Sequence, residues 1–145
     1  RELVPMAQTF GIALIPWSPL ASGMLTGKYK RGEDPPEGAR LQKDNWRGKQ
    51  LEVSGAFDVI EKVVELAKAK GCTPAQLSLA WNMHQPGITS PIIGPKNLEQ
   101  LDDNLGAIDV EITDDDRNAL DEVAKPGEHT VSYYNANFGP HVHRV

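Results

Sequence analysis

A stretch of seventeen residues, from Ile88 to Asn104, combines a short apolar segment, a glycine turn and the start of a helix. Its apolar part, Ser90 to Ile93, lacks the polar alternation of a half-exposed strand and is therefore typical of a parallel strand buried on both faces. Gly94 permits either an unusual backbone angle or the close approach of a ligand, and Pro95 stops the strand from continuing. The chain must turn away here, which predicts a strand–turn–helix unit of an α/β protein.

The helix of this unit is predicted to begin just after Lys96. Asn97 is a favourable N-cap, and Gln100 stands at the third helical position, as in a capping box. Apolar residues then recur at helical spacing: Leu98, Leu101, Leu105 and Ile108.

A helix start of this kind attracts phosphate, because free backbone N–H groups and the positive end of the helix dipole lie beside the Lys96 ammonium. A charge-assisted hydrogen bond contributes about 1.5–3 kcal/mol and the dipole about 0.3–1 kcal/mol, enough together to hold one phosphate group. An ordinary junction that binds nothing, with Lys96 simply solvated, fits the local pattern at least as well.

Composition narrows the class of protein. The chain has 145 residues, about one domain, and its net charge of −5 argues against a surface that binds nucleic acid or anionic membranes. No apolar run approaches the roughly 18 residues of a membrane helix, and we expect no signal peptide and a cytoplasmic protein. The chain opens at Arg1 already in helical periodicity, and we therefore expect it to be a piece of something longer.

A second strand is predicted from Ile12 to Pro16, a continuous apolar run that ends in Trp17. An aromatic residue at the carboxyl end of a parallel strand lies where α/β folds bind ligands, although a core tryptophan is an equal alternative. The following loop, Ser18 to Leu51, carries seven basic and four acidic residues, 7 − 4 = +3, which leaves −8 for the remainder. This charge favours a small anionic ligand, but charged loops are usually just solvated surface.

The rest of the chain predicts three further helices. The first has an inner face formed by Phe57, Ile60, Val64 and Ala67, and it ends at Gly71. Thr73 and Gln76 form a capping box that starts the second, and Thr113 caps the third. The three aspartates after Thr113 suit a helix N-terminus better than a metal site, and His141 with His143 makes only a weak zinc motif. No metal site is therefore predicted.

Three motifs in order closely resemble the C-terminal half of the aldo-keto reductases: Ile15 to Gly23, Leu25 to Tyr29, and Ile92 to Lys96 with Gln100 and Asn104. The resemblance implies an α/β fold, the C-terminal part of a (β/α)8 TIM barrel. Ile12 to Pro16 would be the seventh strand and Ser90 to Ile93 the eighth, followed by an extra C-terminal helix. Residues 1–125 would form this portion, with a long cofactor-covering loop at 18–52, and residues 126–145 a C-terminal tail.

The resemblance also implies an NADPH (NADP) cofactor and assigns its contacts. Trp17 would stack on the nicotinamide ring, and Lys28 and Arg40 would lie on the loop over the cofactor. The remaining contacts are the pyrophosphate path at Ser18, Pro19, Leu20 and Ser22, the 2′-phosphate region at Gly94 and Lys96, and the adenosine at Gln100, Asp103 and Asn104. A lysine at position 96 favours NADPH over NADH, because the two differ by one phosphate there.

The family's catalytic tetrad of Asp, Tyr, Lys and His lies on earlier strands, and no residue of this chain matches it. Tyr29, Tyr133 and Tyr134 are therefore not assigned as proton donors. The resemblance implies an oxidoreductase that reduces a small-molecule aldehyde or ketone to an alcohol by hydride transfer, with its catalytic residues outside this chain. We expect the 145 residues alone not to be catalytically competent.

Two alternatives remain open: a non-catalytic NADPH-binding module similar to the potassium-channel β-subunits, and an inert truncation. No nucleic-acid or membrane partner is expected. Two parallel strands cannot close a barrel and would leave unpaired edges and helix faces exposed. We therefore expect this fragment to need its missing half or to associate with itself.

Overall fold

The computed structural model describes residues 3–42 and 55–128, and most of their regular structure is helical. The α-helices are α1 (Leu3–Phe10), α2 (Ala56–Lys70), α3 (Pro74–Met83), α4 (Leu98–Leu105) and α5 (Asp114–Val123), with 3-10 segments at Ala21–Thr26 and Gly106–Asp109. The interpretations of Lys43, Asp44, Arg47, Lys49 and the aromatic and histidine residues of the tail lie outside the described residues.

The two predicted strand segments lie side by side and run parallel. Leu14 pairs with Ile88, and Trp17 pairs with Ile92. These are isolated bridges, so the prediction of two continuous strands at 12–16 and 90–93 is wrong for the part of the chain that the structure describes. The parallel arrangement nevertheless brings the carboxyl ends of the two segments together.

Pro91 explains why the pairing is interrupted. The partners are offset by 88 − 14 = 74 residues at the first bridge and by 92 − 17 = 75 at the second, so the later segment holds one extra residue. The Leu14 carbonyl accepts from the N–H groups of both Thr89, at 2.8 Å, and Ser90, at 3.4 Å, which is the pattern of a β-bulge. A regular ladder would next use the N–H of residue 91, which proline lacks, and Ile92 donates to the Pro16 carbonyl instead, at 2.8 Å.

Local sequence sets the helix ends, as predicted. Gly11 and Gly71 adopt left-handed backbone angles, with φ of 64° and 68°, immediately after α1 and α2. The N–H of the following residue then bonds to a carbonyl five positions back, as from Ile12 to Ala7 at 2.8 Å. The capping boxes at Thr73 and Thr113 are both present.

The buried face of α2 differs from the predicted one at two positions, and at the first of them Ala56 is buried whereas Phe57 is only half-buried. Val63 is buried, whereas Val64, which was assigned to the inner face, is 37% exposed. Buried residues at 56, 60, 63 and 67 follow the stripe against which α3 and α5 pack. Spacings of three and four residues are both compatible with one helix face, so the neighbouring helices decide which valine is buried.

The described residues form two core clusters. One lies between α2, α3 and α5 and consists of Val63, Ala67, Leu77, Ala80, Ile112 and Leu120. The other joins the long loop to the start of α2 and consists of Met24, Tyr29, Leu41, Ala56 and Ile60. The described part of that loop, residues 18–42, is therefore packed onto the helical layer and contains a 3-10 turn.

Several apolar side chains outside these clusters face solvent. On the helical side, Leu98 is 76% exposed and Ile108 is 70% exposed, although both fit the predicted apolar spacing of α4. Leu3 and Phe10 of α1 are each 71% exposed. The expectation of exposed helix faces is confirmed for α1 and α4. None of the helices in the described ranges is both long and apolar enough to cross a membrane.

A partly buried ion pair joins α2 to α5. The Lys70 ammonium lies 2.7 Å from Asp116 Oδ2, and the same carboxylate accepts hydrogen bonds from the backbone N–H of Thr113, at 2.7 Å, and from its hydroxyl, at 2.8 Å. Burial by itself raises the pKa of Asp116, but the bonds from Lys70 and Thr113 outweigh it, so the net pKa lies below the ordinary value.

We predict that Asp116→Asn lowers the free energy of unfolding by about 1–3 kcal/mol at pH 7, because Lys70 loses its partner and the capping box loses its charge. A carboxylate with a lowered pKa stabilises the fold above its unfolded pKa, near 3.8, and this contribution disappears as the pH falls through the lower folded value. Urea unfolding at several pH values measures both effects.

Asp115→Asn is the matched control, since this exposed carboxylate stands one position earlier in the same helical turn. A loss in Asp115→Asn equal to that in Asp116→Asn, or a difference between them that persists at pH 2, contradicts the assignment.

Candidate functional site

The candidate site lies at the carboxyl edge of the paired segments. Because Trp17 pairs with Ile92, the chain leaves both segments at the same edge. The turn at 18–22 follows one segment, and Gly94 to Lys96 follows the other. This is the edge at which parallel α/β folds place their ligands.

Trp17 presents its side chain to solvent at this edge. It is 64% exposed, although its backbone is paired. The alternative of a core tryptophan is therefore wrong for the described residues. An exposed indole beside a polar turn offers a flat apolar surface on which an aromatic ring can stack.

The turn after Trp17 holds three non-glycine residues in the left-handed region: Ser18 at φ 55°, Ala21 at φ 48° and Ser22 at φ 60°. The Ala21 N–H donates to the Ser18 carbonyl at 2.9 Å, and the Ser22 N–H donates to Ser18 Oγ at 3.3 Å. Such angles cost about 1–3 kcal/mol each and concentrate at ligand sites and switch regions. Pro19, Leu20 and Ser22 are half-buried in this turn, so its conformation is set by packing as well as by hydrogen bonds.

Lys28, beside this turn, is coupled electrostatically to a second cation of the same loop, Arg40, and to Lys96 of the other segment. Burial lowers the pKa of the Lys28 ammonium, and the positive charges of Lys96 and then Arg40 lower it further. Within the described ranges, neither Lys28 nor Lys96 forms an ion pair with an acid. Cations that weaken one another in this way are stabilised when an anion binds between them.

Lys28 is held closely by its surroundings. Its Nζ lies 5.3 Å from the centroid of the Tyr29 ring. A Cβ added at Gly23, whose φ is +90°, would lie only 2.7 Å from the same Nζ. Glycine at this position therefore leaves the space that the ammonium occupies.

The helix start after Lys96 differs slightly from its prediction. Asn97 Oδ1 accepts from the Gln100 N–H at 2.8 Å, as expected of an N-cap. The returning bond does not reach the Asn97 N–H, however, because Gln100 Oε1 accepts from the Lys96 N–H at 2.9 Å. This bond fixes the Lys96 backbone against the first turn of α4.

Gly94 lies in open space and does not adopt a positive φ. The first reason offered for a glycine here, an unusual backbone angle, is therefore wrong. The second reason, close approach of a ligand, stays a prediction.

Asp103 and Asn104 lie where α4 packs on α3. Asp103 Oδ2 accepts from the Thr73 hydroxyl at 3.1 Å, and the Asp103 carbonyl accepts from Gln76 Nε2 at 2.9 Å. Asn104 is buried, whereas Gln100 is exposed beside Lys96. Asp103 thus holds α4 in place, and the proposed contacts of these three residues with adenosine stay predictions.

The sequence interpretation missed Tyr29 as part of this site. Its hydroxyl accepts from the Leu41 N–H at 3.1 Å, and both residues are buried. The available signal is that a cation stands directly before each of them, at positions 28 and 40. Among the described residues, no group of three or more His, Cys, Asp or Glu side chains is arranged to hold a metal ion.

The family model for the aldo/keto reductases matches residues 1–125. The chain belongs to the aldo/keto reductase family. An aldo/keto reductase has a (β/α)8 barrel, generally uses NAD(P)H and acts on small carbonyl substrates. The family recognised from the three sequence motifs is confirmed, and the assignment to the C-terminal half of its barrel stays a prediction.

The chain is similar to three relatives whose names refer to different functions. One from Schizosaccharomyces pombe, provisionally named a voltage-gated potassium channel subunit beta, is 33% identical over 85% of this chain and 37% of its own length. A second from the same organism, provisionally named an aryl-alcohol dehydrogenase, is 35% identical over 84% of this chain and 33% of its own.

The third, from Arabidopsis thaliana, is also provisionally named a voltage-gated potassium channel subunit beta. It is 39% identical over 75% of this chain and 34% of its own length. The chain therefore spans about a third of the length of these relatives.

The charge coupling predicts a measurable titration. The pKa of Lys28 is expected to lie below 10.5 and to rise toward that value in Lys96→Gln, because a neighbouring positive charge is removed. NMR of isotopically methylated lysines measures it. Lys30→Gln is the control, since Lys30 is exposed and pairs with Glu33 at 3.7 Å. A Lys28 pKa that responds equally to both substitutions contradicts the proximity of Lys28 and Lys96.

Proposed function

We propose that this chain is the NADPH-binding, C-terminal portion of an aldo/keto reductase barrel, comprising its seventh and eighth βα units and an extra helix. The parent protein is a cytoplasmic oxidoreductase that reduces aldehydes or ketones to alcohols. The observations that carry the proposal are the exposed Trp17 at the edge where the two parallel segments end, and the Lys28 ammonium, which lies against Gly23 of the following turn and is coupled electrostatically to Lys96 and Arg40.

The residues at this edge suit the parts of a dinucleotide. The Trp17 indole offers a stacking surface for the nicotinamide ring, and the turn at 18–22 joins Trp17 to Gly23, against which the Lys28 ammonium lies. The backbone of Lys96 is fixed at the start of α4, and its ammonium would bind the 2′-phosphate that distinguishes NADPH from NADH. NADPH supplies the hydride when bound, whereas the proton for the carbonyl oxygen comes from tetrad residues outside this chain.

A second candidate is a non-catalytic module that binds NADPH and contacts a protein partner. Two relatives that are provisionally named potassium-channel β-subunits favour it. Both candidates predict the same cofactor contacts in this chain. They differ in whether Asp, Tyr, Lys and His occupy the tetrad positions elsewhere in the parent protein, so its full reading frame separates them. An inert truncation is the third possibility and predicts no binding.

The exposed apolar faces support a role as one part of a larger barrel. Leu98, Ile108, Leu3 and Phe10 are each at least 70% exposed on the outside of α4, its 3-10 extension and α1. We propose that the remainder of the barrel, or a second copy of the chain, covers these faces, because apolar patches of this kind rarely remain in water. Size-exclusion chromatography with light scattering distinguishes association from a monomer.

We predict that NADPH quenches the fluorescence of Trp17 and that Lys96→Gln weakens NADPH binding about 10- to 100-fold, as expected for one lost charge-assisted bond. NADH binding should change less than about twofold, because it lacks the 2′-phosphate. Fluorescence titration measures both, and Trp17→Phe separates this signal from those of the other two tryptophans.

Lys68→Gln is the matched control, since Lys68 is exposed on α2 away from the edge. Equal weakening of NADPH and NADH by Lys96→Gln contradicts the 2′-phosphate assignment. No quenching at millimolar NADPH leaves only the inert truncation.

A further inference from the structure

A buried hydrogen bond closes the cation-bearing part of the long loop. Tyr29 is 3% exposed and Leu41 is fully buried, and both belong to the cluster that anchors the loop on α2. Inside this cluster the Leu41 N–H donates to the Tyr29 hydroxyl at 3.1 Å. Two points of the chain that are twelve residues apart are therefore joined at one place.

This bond constrains the positions of two of the three cations, Lys28 and Arg40. Lys28 stands immediately before Tyr29, and Arg40 stands immediately before Leu41. The bond joins the tip of the Tyr29 side chain to the Leu41 backbone, so the two cationic residues lie at the two ends of this one contact. Burial, then the charge of Lys96 and then that of Arg40 lower the pKa of the Lys28 ammonium, and the contribution of Arg40 agrees with this placement.

The Tyr29 ring adds a second constraint. The Lys28 ammonium lies 5.3 Å from the ring centroid, within the range of a cation–π interaction. The same ammonium also fills the space left by Gly23. Two like charges repel and would separate if the loop were free, so a fixed pair requires constraints of this kind.

We infer that Tyr29 is a positioning residue, whose buried hydroxyl holds Lys28 and Arg40 as a preformed pair of cations for the phosphates of a dinucleotide. This inference rests on the proposed function and extends it. The buried Tyr29 is proposed to act through the two cations and not by contacting a phosphate itself. A preformed pair binds more tightly than a mobile one because the ligand does not have to order it.

The test uses Tyr29→Phe in the full chain, with NADPH and inorganic pyrophosphate as probes. The variant keeps the ring and the apolar packing and removes only the acceptor of the Leu41 N–H. We expect affinity for both probes to fall about three- to tenfold, the effect of losing preorganisation without losing a contact. Isothermal calorimetry measures both affinities.

A double-mutant cycle separates positioning from general destabilisation. If Tyr29 acts through the cation pair, Tyr29→Phe reduces affinity in the parent chain but has almost no effect when Lys28 and Arg40 are already glutamine. Met24→Leu perturbs the same cluster without touching the hydroxyl and is expected to leave affinity unchanged. If Tyr29→Phe does not fold, a fluorinated tyrosine at position 29 weakens the acceptor with little change of shape and should lower affinity in the same direction.

The outcomes are distinct. Binding by the parent chain with an unchanged affinity in Tyr29→Phe, or with an equal loss in the Lys28→Gln/Arg40→Gln background, overturns the role of Tyr29 alone. If the parent chain binds neither NADPH nor pyrophosphate, the proposed function fails and this inference fails with it. A selective loss that disappears in the doubly substituted background supports it.

Discussion

The pairing of Trp17 with Ile92 is the constraint on which the rest of the site depends. Both segments end at that bridge, so the loops that follow them must leave the same edge. The Pro91 bulge shifts the second segment by one residue and sets which residues lie opposite each other. Lys96 and Lys28, which are far apart in the chain, become electrostatic neighbours as a result.

Around this pairing, three side-chain hydrogen bonds fix the conformation of the loops. Gln100 holds the Lys96 backbone, Ser18 holds a turn of positive φ angles, and Tyr29 closes the loop of cations. Helices α2 and α3 pack against each other, and the ion pair of Lys70 with Asp116 joins α2 to α5. If the proposed ligand binds here, these bonds reduce the ordering that its binding requires.

The features that depend on local interactions were predicted correctly from the sequence. The ends of α1 and α2 and the starts of α3 and α5 depend on residues within one helical turn, and Gly11, Gly71, Thr73 and Thr113 behave as predicted. The choice between Val63 and Val64 could not be made locally, because both fit helical spacing. The break at Pro91 also escaped prediction, since it depends on which carbonyl lies opposite, about 75 residues away.

The candidate site likewise has some residues whose roles were predicted from the sequence and others whose roles were not. Phosphate affinity near Lys96 was predicted from residue chemistry, whereas most of the other assignments came from the family resemblance. Tyr29 was missed because its role exists only when Leu41 folds back beside it. Conversely, exposed apolar residues on α1 and α4 fit the helical pattern, but the surfaces that would bury them are not formed by the described residues.

The most direct test of the shared edge is an NMR titration of backbone amides with NADP⁺. The backbone amides of residues 18, 20–22, 94 and 96 are expected to shift together and to give one common Kd, because one ligand spans both segments. Shifts confined to one of the two segments, or different Kd values for them, would contradict this expectation.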